Sequence, residues 1–409
     1  MNFFSLIEIL NEMDVITPDS FILKISNVIM ELKNEKKTKN LSENLKLRES
    51  VGLSFLSCYI EKCSNNYSFL KMIETLNLLL LNFNSNQQDL FNLGMLLNII
   101  YQFIKRCSIK ELEKEKKFKE NIIKLFDNSI LLSTKETILK QKLIKKENLK
   151  LNENDFKYFD ISTQMFKFIS IMLPLIGNEI FDEKDFQILL NLILQNLISI
   201  LKFHNLQNMY KTKFILKIIL NFNYFSTNQN REILNLFYDS QFFFIDNDSF
   251  KYWKEILNRI MKKEKNFYFI ELLNKFNSTQ SIFMSAESEA ISKSRLLKRM
   301  SFIIYSGEFN QYLNHFNLII DKIVDSLKSS NSNTVLFQIL LSLRVLMLKI
   351  SNQNLKSIWP TIMTLIIRVL ENSKNEHPSI LFAICRFIDY ATIILPEDFQ
   401  FYKWIFYTK

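Results

Sequence analysis

Apolar side chains recur with the spacing of an α-helix along almost the whole chain. The spacing is clearest in residues 333–350, where six apolar residues fall at i, i+3, i+4, i+7, i+11 and i+14 and so share one helix face. These six are Leu336, Ile339, Leu340, Leu343, Met347 and Ile350. Ser342 and Lys349 fall on the opposite face, where we expect them to meet solvent. The pattern predicts amphipathic helices that each bury one face.

Polar breaks separate these periodic segments, so that helix starts follow one another at intervals of roughly 18 to 22 residues, and antiparallel helix pairs would repeat about every 40. That is the period of HEAT and armadillo arrays. We therefore predict an all-α fold, an α-solenoid of antiparallel helix pairs. The most polar connection indicates a domain boundary, which gives an N-terminal helical array at 1–146, a polar linker at 147–160 and a C-terminal helical array at 161–409.

Two local signals predict where particular helices begin. Thr17 precedes Pro18, and proline is favoured at the first position of a helix because no amide donor is needed there. Ser133 lies three residues before Glu136, which is the spacing of a capping box at a helix N-terminus. We expect one helix to begin after Thr17 and another after Ser133.

Two strongly apolar segments, at 188–203 and 334–350, have to be considered as membrane spans. Polar side chains interrupt both, among them Gln195 in the first and Arg344 in the second. A span needs about 18 continuous apolar residues. Both segments are therefore predicted to be buried helices of a large soluble protein.

Composition narrows the fold and its chemistry. The 409 residues include only 4 glycines and 5 prolines, too few for the turns and bulges of a sheet-rich fold. Because the glycines are isolated, neither the dinucleotide fingerprint nor the P-loop motif can be written anywhere in the sequence. The 4 cysteines form no C-x-x-C pair, which argues against a zinc site and for free thiols in a reducing cytosol. We expect no cofactor and no metal.

The net charge of +10 is unevenly distributed. Residues 102–157 hold 15 basic and 9 acidic side chains, although the codon bias of an A+T-rich genome would also enrich lysine. Lysine and glutamate alternate at 111–120, as on a solvated helix face. A second basic cluster is more compact, with no acid among residues 291–300. We predict it to be a patch for anionic phospholipid headgroups or an acidic partner, formed by Lys293, Arg295, Lys298 and Arg299.

No catalytic arrangement is found in the sequence. It contains neither G-x-S-x-G nor H-E-x-x-H, and its three histidines are interpreted as surface or capping residues. The adjacent carboxylates Asp182 and Glu183, like Glu287 and Glu289, are interpreted as partners of helix N-termini. The chain is therefore predicted not to be an enzyme.

Four ordered blocks in the C-terminal half carry a more specific signal. They read FYDSQFFFIDNDSFKYWKEILNRIM at 237–261, SRLLKRMSFIIYSGEFNQYLNHFNLIIDKIVDSL at 294–327, FQILLSLRVLMLKISNQNLKSIWPTIMTLIIRVL at 337–370 and CRFIDYATIILPEDFQFYKWIF at 385–406. From about 235 to 409 the chain thus resembles the C-terminal region of the Dopey family. Family members are far longer, so the chain is expected to be a short relative or a C-terminal piece.

Most motif positions in the last two blocks are expected to be structural. Ser351 can cap a helix, Trp359 with Pro360 would kink or restart one, and Trp404 would seal the end of the array. Arg344 is costly to bury in a Leu-rich helix unless it is paired, so we expect a carboxylate such as Asp389 to receive it. The motif positions are Gln338, Arg344, Ser351, Trp359, Pro360, Cys385, Asp389, Phe399, Gln400, Tyr402, Trp404 and Phe406.

The resemblance implies a non-enzymatic scaffold in endosome-to-Golgi vesicle traffic, cytosolic and peripheral on Golgi and endosomal membranes. The implied partners are a large HEAT-repeat protein related to Arf exchange factors and, through it, a lipid flippase of the P-type ATPase class. No nucleic acid is expected. Two alternatives stay open: a basic α-solenoid for nuclear transport or nucleic-acid binding, and a hydrolase whose polar pocket the sequence does not reveal.

Overall fold

The structure is a computed structural model of the chain, and all regular secondary structure in its described part is helical. No strand occurs within the described residues. They are 17–38, 43–63, 69–84, 89–106, 112, 115–147, 161–201, 209–222, 225–278, 285–329, 332–356, 359–372, 378–394, 396–400 and 402.

The α-helices of these ranges are numbered in chain order. They are α1 (Pro18–Thr38), α2 (Glu43–Lys62), α3 (Phe69–Asn84), α4 (Leu90–Ile104), α5 (Lys116–Glu147), α6 (Ile161–Glu179), α7 (Glu183–Leu201), α8 (Met209–Leu220), α9 (Thr227–Tyr238), α10 (Asn247–Lys262), α11 (Phe267–Ser278), α12 (Ala286–Ser306), α13 (Phe316–Ser329), α14 (Asn333–Lys349), α15 (Asn352–Lys356), α16 (Trp359–Asn372), α17 (Pro378–Ile394) and α18 (Pro396–Gln400). Short 3₁₀ turns occur at Phe242–Phe244, Lys263–Asn266 and Leu313–His315.

The helices group into two compact units. The N-terminal unit comprises residues 1–226 and 239–249, and the C-terminal unit comprises 227–238 and 250–409. This corrects the predicted boundary at 147–160, because α6 packs against α4 and α5 in the same unit. Residues 148–160 lie outside the described residues. Polarity alone therefore misplaced the division between the two arrays.

Within the N-terminal unit, the helices form two rows. Helices α1, α3, α5 and α7 pack successively against one another, and α2, α4, α6 and α8 do the same. Contacts between α1 and α2, α4 and α5, α5 and α6, and α7 and α8 join the two rows. Stacked helix pairs of this kind bury apolar faces without any pairing of distant strands. The predicted all-α solenoid packing is confirmed in this unit.

The C-terminal unit repeats the arrangement. Helices α12, α14 and α17 pack successively against one another in one row. Helices α11 and α13 pack together and contact α12 and α14 of that row, respectively, and α16 also contacts α14. Apolar residues that the sequence placed on one face of α14 are buried, among them Leu336, Leu340 and Leu343. Ser342 is buried as well, so the expectation that it meets solvent is wrong. Because α14 lies between α12 and α17, two of its faces are covered, and the Ser342 hydroxyl lies 2.7 Å from that of Ser301 on α12.

The two predicted helix starts have opposite outcomes. α1 begins at Pro18, directly after Thr17, as predicted. The capping box at Ser133 is wrong, because Ser133 lies inside the 32-residue helix α5, where its hydroxyl donates to the carbonyl of Ser129 at 2.7 Å. A serine in mid-helix can satisfy its hydroxyl on the preceding turn. The sequence spacing alone does not distinguish these two environments.

Of the two apolar segments considered as membrane spans, residues 188–201 lie in α7 and residues 334–349 in α14, while residues 202 and 203 lie outside the described residues. Helix α14 is largely buried, but α7 exposes 52% of Ile188 and 43% of Leu192, so the expectation of a buried helix is wrong for that face. Across the described ranges, no helix combines the length and the hydropathy that a membrane crossing requires.

Candidate functional site

The predicted basic patch lies on α12, and its four side chains do not share one surface. Lys293 is only 3% exposed. Its ammonium group pairs with the carboxylate of Glu289 one turn earlier and donates to the hydroxyl of Ser329 at 2.7 Å. Because Ser329 ends α13, Lys293 links two helices of the C-terminal unit.

Arg299 is also buried, at 6% exposure. Its Nε donates to the carbonyl of Phe237 at 3.2 Å, and its Nη2 donates to the carbonyl of Tyr238 at 2.7 Å. These carbonyls belong to the last turn of α9, where helix geometry leaves oxygen atoms without an intrahelical donor. A cation there also favours the negative end of the helix dipole. Arg299 therefore caps α9.

The other two basic residues are more accessible. Arg295 is exposed and Lys298 is half-buried. Burial, followed by the neighbouring charge of Arg299, lowers the pKa of the Lys298 ammonium. The prediction of a single four-residue surface patch is thus wrong, because Lys293 and Arg299 have structural partners. What remains at the surface of α12 is Arg295, with Lys298 beside it.

Arg344 does not have the partner that the sequence suggested. Asp389 is exposed, and no ion pair joins it to Arg344 in the part of the chain that the structure describes. Burial and the charge of Arg386 lower the pKa of the half-buried Arg344 guanidinium, while the phenol of Tyr390 opposes that change. The expectation that Asp389 neutralises Arg344 is therefore wrong. Helix α17 brings a cation and a phenol toward it instead.

The turn between α12 and α13 is held by the end of α14. Lys349 donates from Nζ to the carbonyl of Gly307 at 2.6 Å, and its own carbonyl accepts from the amide of Asn310 at 2.8 Å. The Asn310 side-chain oxygen accepts from the amide of Ser351 at 2.9 Å. Asn310 has φ 59°, a left-handed conformation that asparagine tolerates better than most residues. The turn is thereby fixed by three hydrogen bonds.

The C-terminal unit contains a second basic region that the sequence did not predict. Its members come from α10, α12, α14 and α17, so no local pattern could reveal it. The ammonium groups of Lys254 and Lys349 lie 4.7 Å and 5.5 Å from the centroid of the Tyr305 ring. We call this region the tyrosine–cation cluster, and it consists of Lys254, Tyr305, Arg344, Lys349, Arg386 and Tyr390.

Two distant motif blocks meet in an aromatic group. The ring of Trp359 lies 6.4 Å from that of Phe399 and 6.0 Å from that of Tyr402, both edge-on. Such edge-to-face contacts add to the gain from burying the rings. Trp404, which was predicted to seal the end of the array, and the motif residue Phe406 lie outside the described residues.

The remaining motif positions are distributed between helix starts and surface. Pro360 is the second residue of α16, which restarts there as predicted. Ser351 immediately precedes α15, and its hydroxyl accepts from the side chain of Asn354 at 2.6 Å. Gln338 is half-buried, and its side-chain oxygen has no hydrogen-bond partner. The structure leaves Cys385 and Gln400 exposed.

The candidates for chemistry do not converge on a site. Among the described residues, no three side chains of the metal-binding types come together. The carboxylate of Asp182 accepts from the amide of Asp185 at 2.8 Å at the start of α7, as expected of an N-terminal cap. The ring centroid of His315 lies 5.9 Å from that of Phe269. His204 and His377 lie outside the described residues.

Most of the chain matches a known protein family. The sequence profile described as DOP1 C-terminal matches residues 55–409. The chain belongs to the DOP1, or Dopey, family. The match begins in α2 and includes most of the N-terminal unit, so it is wider than the region from about 235 to 409 in which the resemblance was recognised.

Several relatives have recognisable sequence similarity to this DOP1-family chain. Protein DOP1B of Mus musculus is 30% identical over 213 residues, which cover 43% of this chain and 9% of the relative. Protein pad-1 of Caenorhabditis elegans is 26% identical over 204 residues, which cover 48% of this chain and 8% of the relative. The DOP1 homolog of Drosophila melanogaster is 27% identical over 192 residues, which cover 45% of this chain and 7% of the relative. The aligned part is thus less than a tenth of each relative's length. No solved structure matches the chain.

Proposed function

We propose that this chain is a non-enzymatic helical scaffold of endosome-to-Golgi and Golgi vesicle traffic that binds partner proteins while peripheral on membranes. The observation that carries the proposal is the DOP1 C-terminal match over residues 55–409. The stacked helix pairs support it, because such stacks provide long side-chain surfaces for binding.

The proposed partners are a large HEAT-repeat protein related to Arf exchange factors and a phospholipid flippase, with anionic headgroups as a further ligand. Affinity capture and proximity labelling of the tagged chain in its native cells test this. Recovery of these two protein classes together with Golgi and endosomal membrane markers is expected. Enrichment of importins or RNA-binding proteins, with affinity for RNA that falls steeply with added salt, would overturn the proposal in favour of the nuclear alternative.

The more accessible basic residues of α12 supply a test of the membrane contact. The variant Arg295→Glu with Lys298→Glu reverses two charges and leaves the buried side chains of Lys293 and Arg299 in place. Each basic group near an anionic membrane contributes about 1 kcal/mol, so recovery on anionic vesicles should fall by about tenfold or more. The matched control reverses two exposed lysines elsewhere, Lys217 and Lys328.

The control variant should pellet with vesicles as the unchanged chain does, and both variants should keep their helical circular dichroism. Equal recovery of the unchanged chain and the α12 variant would contradict a lipid contact at α12. An equal loss in both variants would show that only net charge matters.

A further inference from the structure

The tyrosine–cation cluster gathers four basic groups around two phenols. Lys349 is held in place because its ammonium donates to the carbonyl of Gly307 at 2.6 Å. Lys254 reaches the same Tyr305 ring from α10, and the ring of Phe250 on that helix lies 4.8 Å from that of Phe302 on α12. The two ammonium groups are therefore positioned by packing between α10 and α12 and by the end of α14.

The other half of the cluster lies where α14 packs against α17. Arg386 stacks on Phe382 of its own helix, with 4.3 Å between the guanidinium carbon and the ring centroid. The charge of Arg386 lowers the pKa of Arg344, after burial, and that of Lys254 likewise lowers the pKa of Lys349. Tyr390 interacts electrostatically with both Arg344 and Tyr305. The two halves are joined through α14, which carries both Arg344 and Lys349, and within each half the two cations repel each other.

No carboxylate offsets this repulsion within the described residues. Neither Lys254, Arg344, Lys349 nor Arg386 forms an ion pair there, although nearby cations do: Arg259 pairs with Glu255, and Lys262 with Glu308. An uncompensated group of cations in a partly desolvated place attracts an anionic ligand more strongly than the same charges in open water.

We propose that the tyrosine–cation cluster is the docking site for an acidic peptide segment of a partner protein. Carboxylates of the segment would bind the four cations and accept hydrogen bonds from the hydroxyls of Tyr305 and Tyr390. An apolar residue of the segment would lie on the exposed side chain that Arg386 contacts, which is Phe382 at 58% exposure. The proposal rests on the scaffold function above and names one of its binding surfaces.

Burial favours a peptide over a membrane surface as the occupant. Lys254, Arg344 and Lys349 are half-buried, so a flat anionic membrane cannot reach their charged groups as closely as an inserted carboxylate can. Charged groups that are partly desolvated before binding also lose less hydration when they meet a carboxylate. Arg295 on α12 is exposed and better suited to lipid contact.

The test is fluorescence anisotropy of the full chain with a short labelled peptide of glutamates around a single phenylalanine. The unchanged chain should bind it, and added salt should weaken the binding because the charges are partly solvent-accessible. Reversing Lys254 and Arg386 together to Glu should raise Kd by about tenfold or more. The control reverses Arg295 and Lys328, with the same change in net charge, and should alter Kd by no more than about twofold.

The outcomes separate this site from the membrane contact at α12. If the K254E/R386E variant loses peptide binding but pellets normally with phosphatidylserine vesicles, the cluster is a peptide site. Three results would overturn the proposal. The unchanged chain fails to bind the peptide, or both double variants weaken peptide binding equally. In the third, K254E/R386E keeps its peptide binding but no longer pellets with phosphatidylserine vesicles. Should K254E/R386E lose its helical circular dichroism, the milder K254Q/R386Q pair replaces it, with an expected weakening of about threefold. Failure here leaves the partner capture unaffected, so it does not refute the scaffold function.

Discussion

Both units join packed helices by neutral side-chain pairs and by cations bound to carbonyls, but Arg299 of the C-terminal unit donates to two carbonyls and Arg106 of the N-terminal unit to one. In the N-terminal unit, several contacts join neutral side chains, with Ser50 donating to Asn92 at 2.8 Å and Asn121 to Asn77 at 3.0 Å. In the C-terminal unit, the buried or half-buried cations Arg299 and Lys349 donate to backbone carbonyls at the ends of other helices. Neutral pairs fix how two helix faces align. Cations bound to carbonyls fix where a helix or a turn ends.

This difference predicts that side-chain truncation costs more in the C-terminal unit. A neutral hydrogen bond contributes about 1 kcal/mol, whereas one to a charged group contributes about 1.5 to 3 kcal/mol. Removing a buried cation also leaves carbonyls without donors.

Replacing Arg299 by Met should destabilise the C-terminal unit by about 3 kcal/mol, because two carbonyls of α9 lose their donor. Urea denaturation measures the loss, and hydrogen exchange should show faster exchange in α9. The matched change in the other unit is Arg106→Met, since Arg106 donates to the carbonyl of Cys63 at 2.7 Å. Arg106→Met should lower the free energy of unfolding by about 1.5 kcal/mol, because only one carbonyl loses its donor. Equal losses would remove the contrast between the units.

Replacing Gly307 or Gly94 by alanine should change the free energy of unfolding in opposite directions. At Gly307, a Cβ would lie 2.7 Å from Cε2 of Tyr312, whereas at Gly94 it would meet only Cε of Met165 at an ordinary 3.5 Å. Gly307→Ala should therefore cost about 2 kcal/mol through overpacking. Gly94→Ala, inside α4, should stabilise by about 0.5 to 1 kcal/mol. Thermal unfolding of both variants measures this, and a stabilised Gly307→Ala would contradict the close packing of the turn.

The neutral pairs should contribute least. Asn98 on α4 donates to Ser57 on α2 at 2.7 Å, so Asn98→Ala should cost about 1 kcal/mol. A double-mutant cycle with Ser57→Ala isolates the pair, and its coupling free energy should be about 0.5 to 1 kcal/mol. A coupling as large as the loss at Arg299 would show that neutral pairs and cations are equivalent here.

The sequence predicted helices and their faces well, because periodicity is a local property. It placed Leu336, Leu340 and Leu343 on the buried face of α14 and started α1 at Pro18. It failed where the partner comes from elsewhere in the chain. Ser342 was expected at the surface because nothing in the sequence of α14 reveals that both α12 and α17 cover that helix.

The predicted sites failed for the same reason. Lys293 and Arg299 look like surface charges in the sequence, and only the positions of Ser329 and the end of α9 show why they are buried. Spacing could have indicated this, since both positions lie three residues from the buried Leu296 and so neighbour it on the helix surface. The tyrosine–cation cluster had no such signal, because its cations lie on three helices that are separated in the sequence.

The order of the segments along the chain has a consequence for synthesis on the ribosome. The chain passes from the N-terminal unit to the C-terminal unit at residue 227, returns at 239 and leaves again at 250. The hydrogen bond from Arg299 to the carbonyl of Tyr238 therefore cannot form until Arg299 has been translated, 61 residues later. At 5 to 20 residues per second this delay is roughly 3 to 12 s. During that time the carbonyls of Phe237 and Tyr238 at the end of α9 lack the Arg299 donor and are left to hydrogen-bond with water.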